Sequence, residues 1–490
     1  MTEVRTPPAA VAGGDLAAWL AFAGCLIAVF MQMIDVTIVN TALPSITADL
    51  SASGAQQVLV ISGYSLAFAC TLLTAARLGA MVGRRTMFLV SVVAFTAASI
   101  WCGVSGSASE LVVARVVQGI AGAGMAAQTI AILTASFPRS KHTQVFALYG
   151  AVAGFAGMLG PILGGALVTA DIAGTGWHSV FLMNLPLGVL AFALGWKFLR
   201  IDRPRAGERL DPAGVALSTL ALFGLLSALA EIHQHGWRPL PCLGIVAALA
   251  LATIFLLRER RRNRSGAGAL VRLDLFADRG FALGSVLVTI FFGLFTAFVF
   301  AVSIMLQDTL DFSPLRTGLA MTPFALGAGA GALSSPWLVR RWGVRVLAAG
   351  IALYGGCVLS WVIYLHLTGG EVNLALAAGP VFAAGFGVGL FGVPLQPLML
   401  AGLDEHRMAE ASGTLPTIEQ IGNGVGLAVL SAAFFRTHDL TGSLTMLTAI
   451  AVIAILLAVP TLRLPDAAAG TAAHPPRRAE MRRTPWSNSA

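Results

Sequence analysis

Apolar stretches of about twenty residues recur along the whole chain, separated by short polar or basic segments. A helix rises 1.5 Å per residue, so about twenty apolar residues can cross the ~30 Å hydrocarbon core of a bilayer. Strands that cross a membrane would instead show alternating segments of ~10 residues, a pattern absent from this sequence. We therefore predict fourteen membrane-spanning helices, at residues 16–37, 55–76, 87–105, 110–134, 145–169, 179–199, 212–231, 240–257, 281–306, 316–339, 345–367, 374–400, 411–435 and 442–462.

Composition agrees with an all-α polytopic membrane protein. Hydrophobic residues make up 57% of the 490 residues and charged residues only 11%, whereas soluble domains carry about 25% charged residues. This balance excludes a cytosolic enzyme, a disordered scaffold and a secreted disulfide-stabilised protein. The five cysteines show no Cys-x-x-Cys spacing and are expected to be small apolar residues, neither disulfides nor metal ligands.

Basic residues lie almost entirely on one side of the predicted spans. Of the 31 Lys and Arg, 27 fall on the side that holds both termini, three on the other side, and one, Arg115, within a span. Because cytoplasmic loops are enriched in Lys and Arg, both termini are predicted to be cytoplasmic. The net charge of +8 then reflects topology and contact with anionic lipid, and no nucleic-acid partner is expected. The first apolar run exceeds a signal-peptide core and is expected to stay as span 1.

The spans divide the chain into two six-helix halves with an inserted pair. We place a cytoplasmic tail at 1–15, the N-terminal half at 16–199, the linker and spans 7–8 at 200–264, the C-terminal half at 265–464, and a second tail at 465–490. Similar Gly-Arg turns follow spans 2 and 10, which favours a duplication, although positive-inside anchoring alone would also give them. Transporters built from such repeats bind substrate between the halves, near the bilayer midplane.

Three ionisable residues within spans stand out as candidates: Asp35 late in span 1, Arg115 in span 4, and Glu419 about two turns from the cytoplasmic end of span 13. Such groups are costly in a bilayer and usually face a cavity or a partner. A carboxyl group there can bind and release a proton, whereas a neighbouring cation would hold it ionised. We predict proton coupling at these three residues. The alternatives are a structural hydrogen bond for Asp35, snorkelling for Arg115 and solvation at a cavity mouth for Glu419.

Polar neighbours of these residues complete the predicted binding set. Met31 and Gln32 lie one helical turn before Asp35, and Gln118 lies one turn after Arg115, so each shares a helix face with its neighbour. The predicted substrate-binding residues are Met31, Gln32, Asp35, Gln118, Gln307, Gln396 and Glu419. Solvation at the outer end of span 7 explains Glu231, His233 and His235, because His-x-His alone is a weak metal signal. No metal site is predicted.

Span 5 carries a stripe of five glycines on one helix face: Gly150, Gly154, Gly157, Gly160 and Gly164. Each glycine weakens a helix relative to alanine, so the stripe indicates close contact with another helix, although a generic packing face would suffice. Pro161 predicts a kink beside it.

Several segments together resemble the major facilitator superfamily, specifically its fourteen-span drug:proton antiporter branch. Residues 35–44 resemble the family signature of span 1, residues 115–119 the motif of span 4 associated with proton coupling, and residues 157–165 the antiporter motif of exporters. Further similar segments are 181–188, 313–323 and 411–413. The resemblance implies a gating role for Gly157, Gly160, Pro161, Gly164 and Gly165.

The loop after span 2 matches the same family only in part. The family pattern there is roughly Gly-x-Leu-Ala-Asp-Arg-x-Gly-Arg-Arg, and its Asp is implicated in closing the cytoplasmic gate. Gly83, Arg84 and Arg85 match this pattern, whereas Ala76 and Ala80 replace the first Gly and the Asp. The resemblance implies gating by the three matching residues, but the usual gate contact is missing.

The expected function is proton-coupled export of amphipathic or cationic small molecules by alternating access, in the bacterial cytoplasmic membrane. Its partners are the substrate, protons and lipid, its energy source is the proton gradient without a cofactor, and a monomer is expected. A proton-coupled uptake symporter and an exporter of one endogenous metabolite are alternatives, and a non-transporting sensor is a more distant one. An enzyme is not expected, because the sequence shows no nucleophile–base pair, metal spacing or Walker-type loop.

Overall fold

The computed structural model describes residues 15–171, 174–200, 211–235, 238–265, 270–310, 312, 314–370, 372–434 and 440–465. The two predicted tails lie almost wholly outside these ranges. Every regular element within them is helical, and the helices are α1 Asp15–Leu50, α2 Gly54–Val82, α3 Arg84–Gly103, α4 Ala108–Ser136, α5 Arg139–Ala170, α6 Ser179–Leu182, α7 Asn184–Phe198, α8 Pro212–His235, α9 Pro239–Ser265, α10 Arg279–Ile304, α11 Pro314–Trp342, α12 Arg345–Leu367, α13 Leu374–Leu400, α14 Glu405–Phe434 and α15 Leu440–Thr461.

Most of these helices are long and apolar enough to cross a membrane. In the described part of the chain eleven candidate spans meet this condition, or twelve when the bent α5 counts as one span. Gly176–Phe198, which contains α6 and α7, is one of them. The long helices α11 and α14 coincide with predicted spans 10 and 13 but do not belong to this group. The count of fourteen spans and the cytoplasmic termini therefore stay predictions.

Two helices extend beyond their predicted ends, and both carry a candidate residue. Helix α1 continues through Pro44 to Leu50, because a proline in a membrane helix is tolerated where neighbouring groups satisfy the freed backbone. Asp35 consequently lies near the middle of α1, not near its end as predicted. Helix α14 begins at Glu405, so Glu419 lies about four turns from its start, not the predicted two.

The helices form two packed groups that meet along a seam. In the first group α1 packs on α5 and α7, and α4 packs on α2 and α3. In the second, α13 packs on α11 and α12, α15 on α12, and α14 on α10. The groups contact each other where α5 packs on α11 and α13, and where α14 packs on α2 and α4. Helices α1, α4, α13 and α14, which carry the candidate polar residues, thus lie at or next to this seam.

Helices α8 and α9 form a hairpin beside the same seam. Helix α8 packs on α2 of the first group and on α14 of the second. On one side Thr219 Oγ1 donates a hydrogen bond to the Cys70 carbonyl at 3.3 Å, and on the other a Cβ at Gly424 would lie 2.5 Å from Leu226 Cδ2. Helix α9 packs mainly on α8. The hairpin therefore touches both groups mainly through α8.

An ion-pair cluster joins the two ends of this hairpin. Asp211, which precedes α8, accepts hydrogen bonds from Arg258 Nε at 3.0 Å and Nη2 at 2.9 Å, and Arg262 Nε lies 3.3 Å from its carboxylate. The pKa of Asp211 is below its usual value, mainly because Arg258 donates hydrogen bonds to its carboxylate. Glu259 Oε2 also accepts from the Val271 amide at 2.9 Å, which ties the chain after the hairpin to α9.

Candidate functional site

Asp35 of α1 meets Arg115 and Gln118 of α4 in a buried hydrogen-bonded network. Arg115 Nη1 donates to Asp35 Oδ2 and to Gln118 Oε1, the latter at 2.7 Å. Gln118 Nε2 donates to Asp35 Oδ1 at 2.9 Å, and Arg115 Nε donates to the Val60 carbonyl of α2 at 3.0 Å. Asp35 and Arg115 are each 1% exposed. Arg115 is therefore paired inside the protein and does not snorkel to an interface.

Aromatic rings surround the guanidinium of Arg115. Its central carbon lies 4.5 Å from the ring centroid of Tyr64 and 5.8 Å from that of Phe181. Cys102 Sγ approaches Gln118 Oε1 at 3.6 Å. A desolvated cation over aromatic faces is stabilised by the ring quadrupoles. The rings and the carboxylate together fix Arg115 in one orientation.

This network supplies the cation that the sequence alone could not place. Asp35 and Arg115 carry opposite charges and lie in direct contact inside the protein. Removing one member of a buried pair leaves an uncompensated charge, which is strongly unfavourable. The buried pair therefore joins α1 to α4. Met31 and Gln32, one turn earlier on α1, are also buried.

A second polar cluster joins α13 and α14. Gln396 Nε2 donates to Glu419 Oε1 at 2.5 Å, and Gln396 Oε1 has no hydrogen-bond partner in the described part of the chain. One turn after Glu419, Asn423 Oδ1 accepts from Thr296 Oγ1 of α10 at 2.7 Å. Tyr149 of α5 lies close enough to Glu419 to interact with it electrostatically. Glu419 is therefore partnered by neutral groups, in contrast to Asp35.

Glu419 and Gln396 were predicted from the sequence, whereas Asn423, Thr296 and Tyr149 were not. The position of Asn423, four residues after Glu419, was a usable signal because such residues share a helix face. Gln307, also predicted to bind substrate, lies in the π-helical turn after α10, where its amide Nε2 donates to Ser303 Oγ at 2.8 Å. No described hydrogen bond joins Gln307 to either cluster.

Phenylalanine rings adjoin the second cluster. The ring centroids of Phe291 and Phe391 are 5.0 Å apart, and those of Phe291 and Phe295 are 6.4 Å apart. Phe295 directly precedes Thr296 on α10. Gly392 lies one turn before Gln396 on α13, and a Cβ at Gly392 would be 2.7 Å from the Phe291 ring. Aromatic surface and hydrogen-bonding groups therefore meet within about one helical turn.

The glycine stripe of α5 contacts two different helices. A Cβ at Gly160 would overlap Thr37 Oγ1, and one at Gly164 would lie 3.0 Å from Ile38 Cγ1, so both glycines allow α1 to approach closely. Gly150 instead faces Val393 of α13, whose Cγ2 would be 2.7 Å from a Cβ. Gly165 is at ordinary contact distance, 4.0 Å, from Thr41. The close contact beside Asp35 is thus made by Gly160 and Gly164.

The prediction of one continuous contact along all five glycines is wrong at Gly154 and Gly157. A Cβ at either position would meet nothing within 4 Å. Helix α5 bends by 45° between its segments Ser140–Gly157 and Ile162–Ala170, so Gly150 and Gly164, on opposite sides of the bend, face different helices. The bend includes position 161 and confirms the kink predicted there.

Substitution at Gly160 is expected to reduce transport strongly, and the matched change at Gly157 is not. A leucine at Gly160 would force α1 away from α5 at Thr37, and overpacking of this kind costs about 1–3 kcal/mol. We expect Gly160→Leu to lower the rate of substrate efflux from cells about tenfold or more, at equal amounts of membrane-inserted protein. Gly157→Leu should retain most of the rate. Equal rates in the two variants would contradict a specific contact at Gly160.

The predicted gate residues are anchored within the first helical group. Gly83, with φ of 99°, forms the turn between α2 and α3. Arg84 Nη1 donates to the Ala131 carbonyl at 2.9 Å, and Arg85 Nη2 donates to the Trp196 carbonyl at 2.7 Å. Gln128, which the sequence analysis missed, is buried and donates to the Ala75 carbonyl at 2.9 Å. The turn that lacks the family Asp is thus held by α4 and α7.

Known proteins resemble the chain over most of its length. Residues 25–427 match the family model of the Major Facilitator Superfamily. A Streptomyces coelicolor protein named "Probable actinorhodin transporter" is 34% identical over 419 residues, which are 85% of this chain and 72% of the relative. The tetracenomycin C resistance and export protein of Streptomyces glaucescens is 32% identical over 443 residues (88% and 79%), and the multidrug resistance protein Stp of Mycobacterium tuberculosis is 30% identical over 410 residues (82% and 73%).

A solved structure shares the fold. The crystal structure of the human organic anion transporter MFSD10 (TETRAN) aligns with a TM-score of 0.63 at 15% identity, over 93% of this chain and 100% of that one. The long apolar helices and the matched relatives indicate the same family. The chain belongs to the major facilitator superfamily and is a multi-pass membrane transporter of small molecules.

Proposed function

We propose that the protein is a fourteen-span, proton-coupled antiporter that exports amphipathic small molecules, including antibiotics or cationic dyes, across a bacterial cytoplasmic membrane. The observation that carries this proposal is a carboxyl group in each half next to the seam: Asp35 paired with Arg115, and Glu419 bonded to Gln396. Relatives named as export or resistance proteins support the direction of transport. The contact of Gly160 with α1 supports coupling between the antiporter motif and Asp35.

The two carboxyl groups have different tasks in this proposal. Asp35 is held by a guanidinium and exchanges its proton only when Arg115 moves away. Glu419, partly exposed and bonded to a neutral amide, exchanges its proton without breaking an ion pair. When Glu419 is protonated its hydroxyl needs an acceptor, and Gln396 Oε1, which has no partner among the described residues, provides one after rotation of the amide. The pair can therefore accommodate both charge states.

We infer the kind of cargo from the phenylalanine rings that adjoin the second polar cluster. Aromatic pairs prefer stacked or edge-to-face contacts, and buried hydrogen-bonding groups beside them fix orientation. A planar amphipathic molecule could place its ring system on Phe295, which packs on the buried ring of Phe291, and its polar groups on Gln396 and Asn423. A cationic molecule would in addition favour ionised Glu419, so its binding would release the proton. One specific metabolite of the host and a range of drugs both meet this description.

The proton gradient is sufficient to drive such export. One charge that crosses ~150 mV gains roughly 3.5 kcal/mol. At about 1.4 kcal/mol per factor of ten, this corresponds to a concentration ratio of a few hundredfold. This holds for a neutral cargo; exchange of one proton for a monovalent cation moves no net charge, so the pH difference alone drives it.

The test is uptake of a fluorescent amphipathic cation, ethidium, into proteoliposomes with an imposed pH gradient. An antiporter accumulates the dye when the lumen is the acidic side, because protons leave as dye enters. A protonophore should abolish the accumulation, and protein-free vesicles should show none. Accumulation only when the outer side is acidic would identify an uptake symporter, and indifference to the gradient would favour a non-transporting sensor.

A further inference from the structure

Helix α9 presents most of its length to its surroundings. Its packing within the described chain is mainly on α8, with a smaller contact to the 3₁₀ turn Leu273–Ala277. Seven of its large apolar side chains are between 47% and 79% exposed: Leu240, Leu243, Val246, Leu249, Ile254, Leu256 and Leu257. Apolar side chains exposed over such a length in a membrane protein are covered by lipid acyl chains.

The end of α9 reaches beyond the hydrocarbon core. A helix of 27 residues is about 40 Å long, whereas the core is ~30 Å thick. The apolar part ends at Leu257, and five arginines follow within the next seven residues. These arginines consequently lie at the depth of the phospholipid headgroups.

The five arginines divide into two sets that face different directions. Arg258 and Arg262 are four residues apart, and both pair with Asp211 of the hairpin. The other three, Arg260, Arg261 and Arg264, are exposed. Residues three and four positions apart are neighbours on a helix surface, so Arg264 stands next to both Arg260 and Arg261. The exposed guanidinium groups therefore form one basic patch just above the exposed leucines.

We propose that Arg260, Arg261 and Arg264 bind the phosphate of an anionic phospholipid whose acyl chains cover the apolar face of α9. Both the charge and the apolar surface of α9 fit a phospholipid. Guanidinium groups bind phosphate, and the apolar face of α9 begins within one turn of the three arginines. A soluble phosphate compound would use the arginines alone. The lipid holds α9, and through Asp211 also α8, against the seam between the two helical groups.

The position of α8 gives this lipid site a connection to the transport machinery. Leu226 and Leu229 of α8 lie against Gly424 of α14, five residues after Glu419. The chain after α9 also reaches α14, because Asp274 accepts hydrogen bonds from Arg272 at 3.0 Å and from Arg407 at 3.4 Å. These bonds lower the pKa of Asp274, with the Arg272 bond as the largest cause. A lipid bound to α9 can therefore affect the position of α14, the helix that carries Glu419.

The experiment compares two variants that lose the same charge. In the first, Arg260, Arg261 and Arg264 become Gln. In the matched control, the exposed residues Arg340 and Arg341 at the end of α11 and Arg345 at the start of α12 become Gln. Each purified full-length protein is titrated with phosphatidylglycerol, phosphatidylcholine or glycerol 3-phosphate. Bound lipid is measured by native mass spectrometry, and the thermal shift is recorded in parallel.

We expect the wild-type protein and the control variant to retain phosphatidylglycerol in preference to phosphatidylcholine, and the α9 variant to bind it about tenfold more weakly. Equal retention by the two variants, or an equal effect of glycerol 3-phosphate, would overturn the proposal. If the triple variant does not fold, the single change Arg264→Gln is used against Arg345→Gln with the same criteria. These binding results do not depend on the direction of transport or on proton coupling.

Discussion

Replacing Asp35 with asparagine is expected to abolish export and to destabilise the protein. The change leaves the Arg115 guanidinium buried without a counter-ion, and breaking a buried pair in this way costs about 3–5 kcal/mol. Arg115→Gln should have a similar effect for the same reason. Stability is measured as the melting temperature of purified protein, and export as gradient-driven ethidium accumulation in proteoliposomes.

The double variant Asp35→Asn/Arg115→Gln separates a structural role from a coupling role. It contains two neutral groups that can still hydrogen-bond to Gln118, so most of the lost stability should return. Export should not return, because the site no longer has a group that gains and loses a proton. If the double variant accumulates dye at the wild-type rate, the pair is a structural contact and the coupling site lies elsewhere.

Glu419→Gln is expected to uncouple substrate movement from the proton gradient. Glutamine keeps the size of the side chain and its ability to bond to Gln396 but cannot release a proton. Accumulation against a gradient should fall about tenfold or more, whereas exchange of labelled for unlabelled substrate across the membrane should persist. The two assays are run on the same proteoliposomes.

The matched control is a change at Glu231, an exposed glutamate near the end of α8. Glu231→Gln should leave both accumulation and exchange near the wild-type level. Loss of exchange together with accumulation in Glu419→Gln would show that the residue is needed for substrate binding itself. Normal accumulation in that variant would remove Glu419 from the coupling mechanism.

The sequence predicted which residues matter better than it predicted their partners. Asp35 and Arg115 could be identified singly, because a charge within an apolar span is costly enough to require a purpose. The two residues are 80 positions apart in the sequence. Whether they pair depends on how α1 and α4 are rotated about their axes, and local sequence does not determine this rotation. Helix ends were misplaced for a related reason: hydropathy falls near Thr37, but the helix continues through Pro44 to Leu50.

Glycines and buried amides show the same limit. The stripe on α5 predicted close contact, but only Gly160 and Gly164 approach α1, whereas Gly157 faces open space. Gln128 lies in an apolar helix and could have been noticed as an unusual polar residue. Its contact with the end of α2, near the position of the missing Asp, became evident only from the packing.

The position of α8 changes how the motion of such a protein has to be described. It is bonded to α2 through Thr219 and lies against α14 through Leu226, so a tilt between the two helical groups cannot preserve both contacts. If transport proceeds by alternating access, at least three bodies then move, and the free energy of the α8 contacts enters the equilibrium between inward-open and outward-open states. Substitutions on the outer surface of α8 can therefore alter turnover without touching any group that binds protons or cargo.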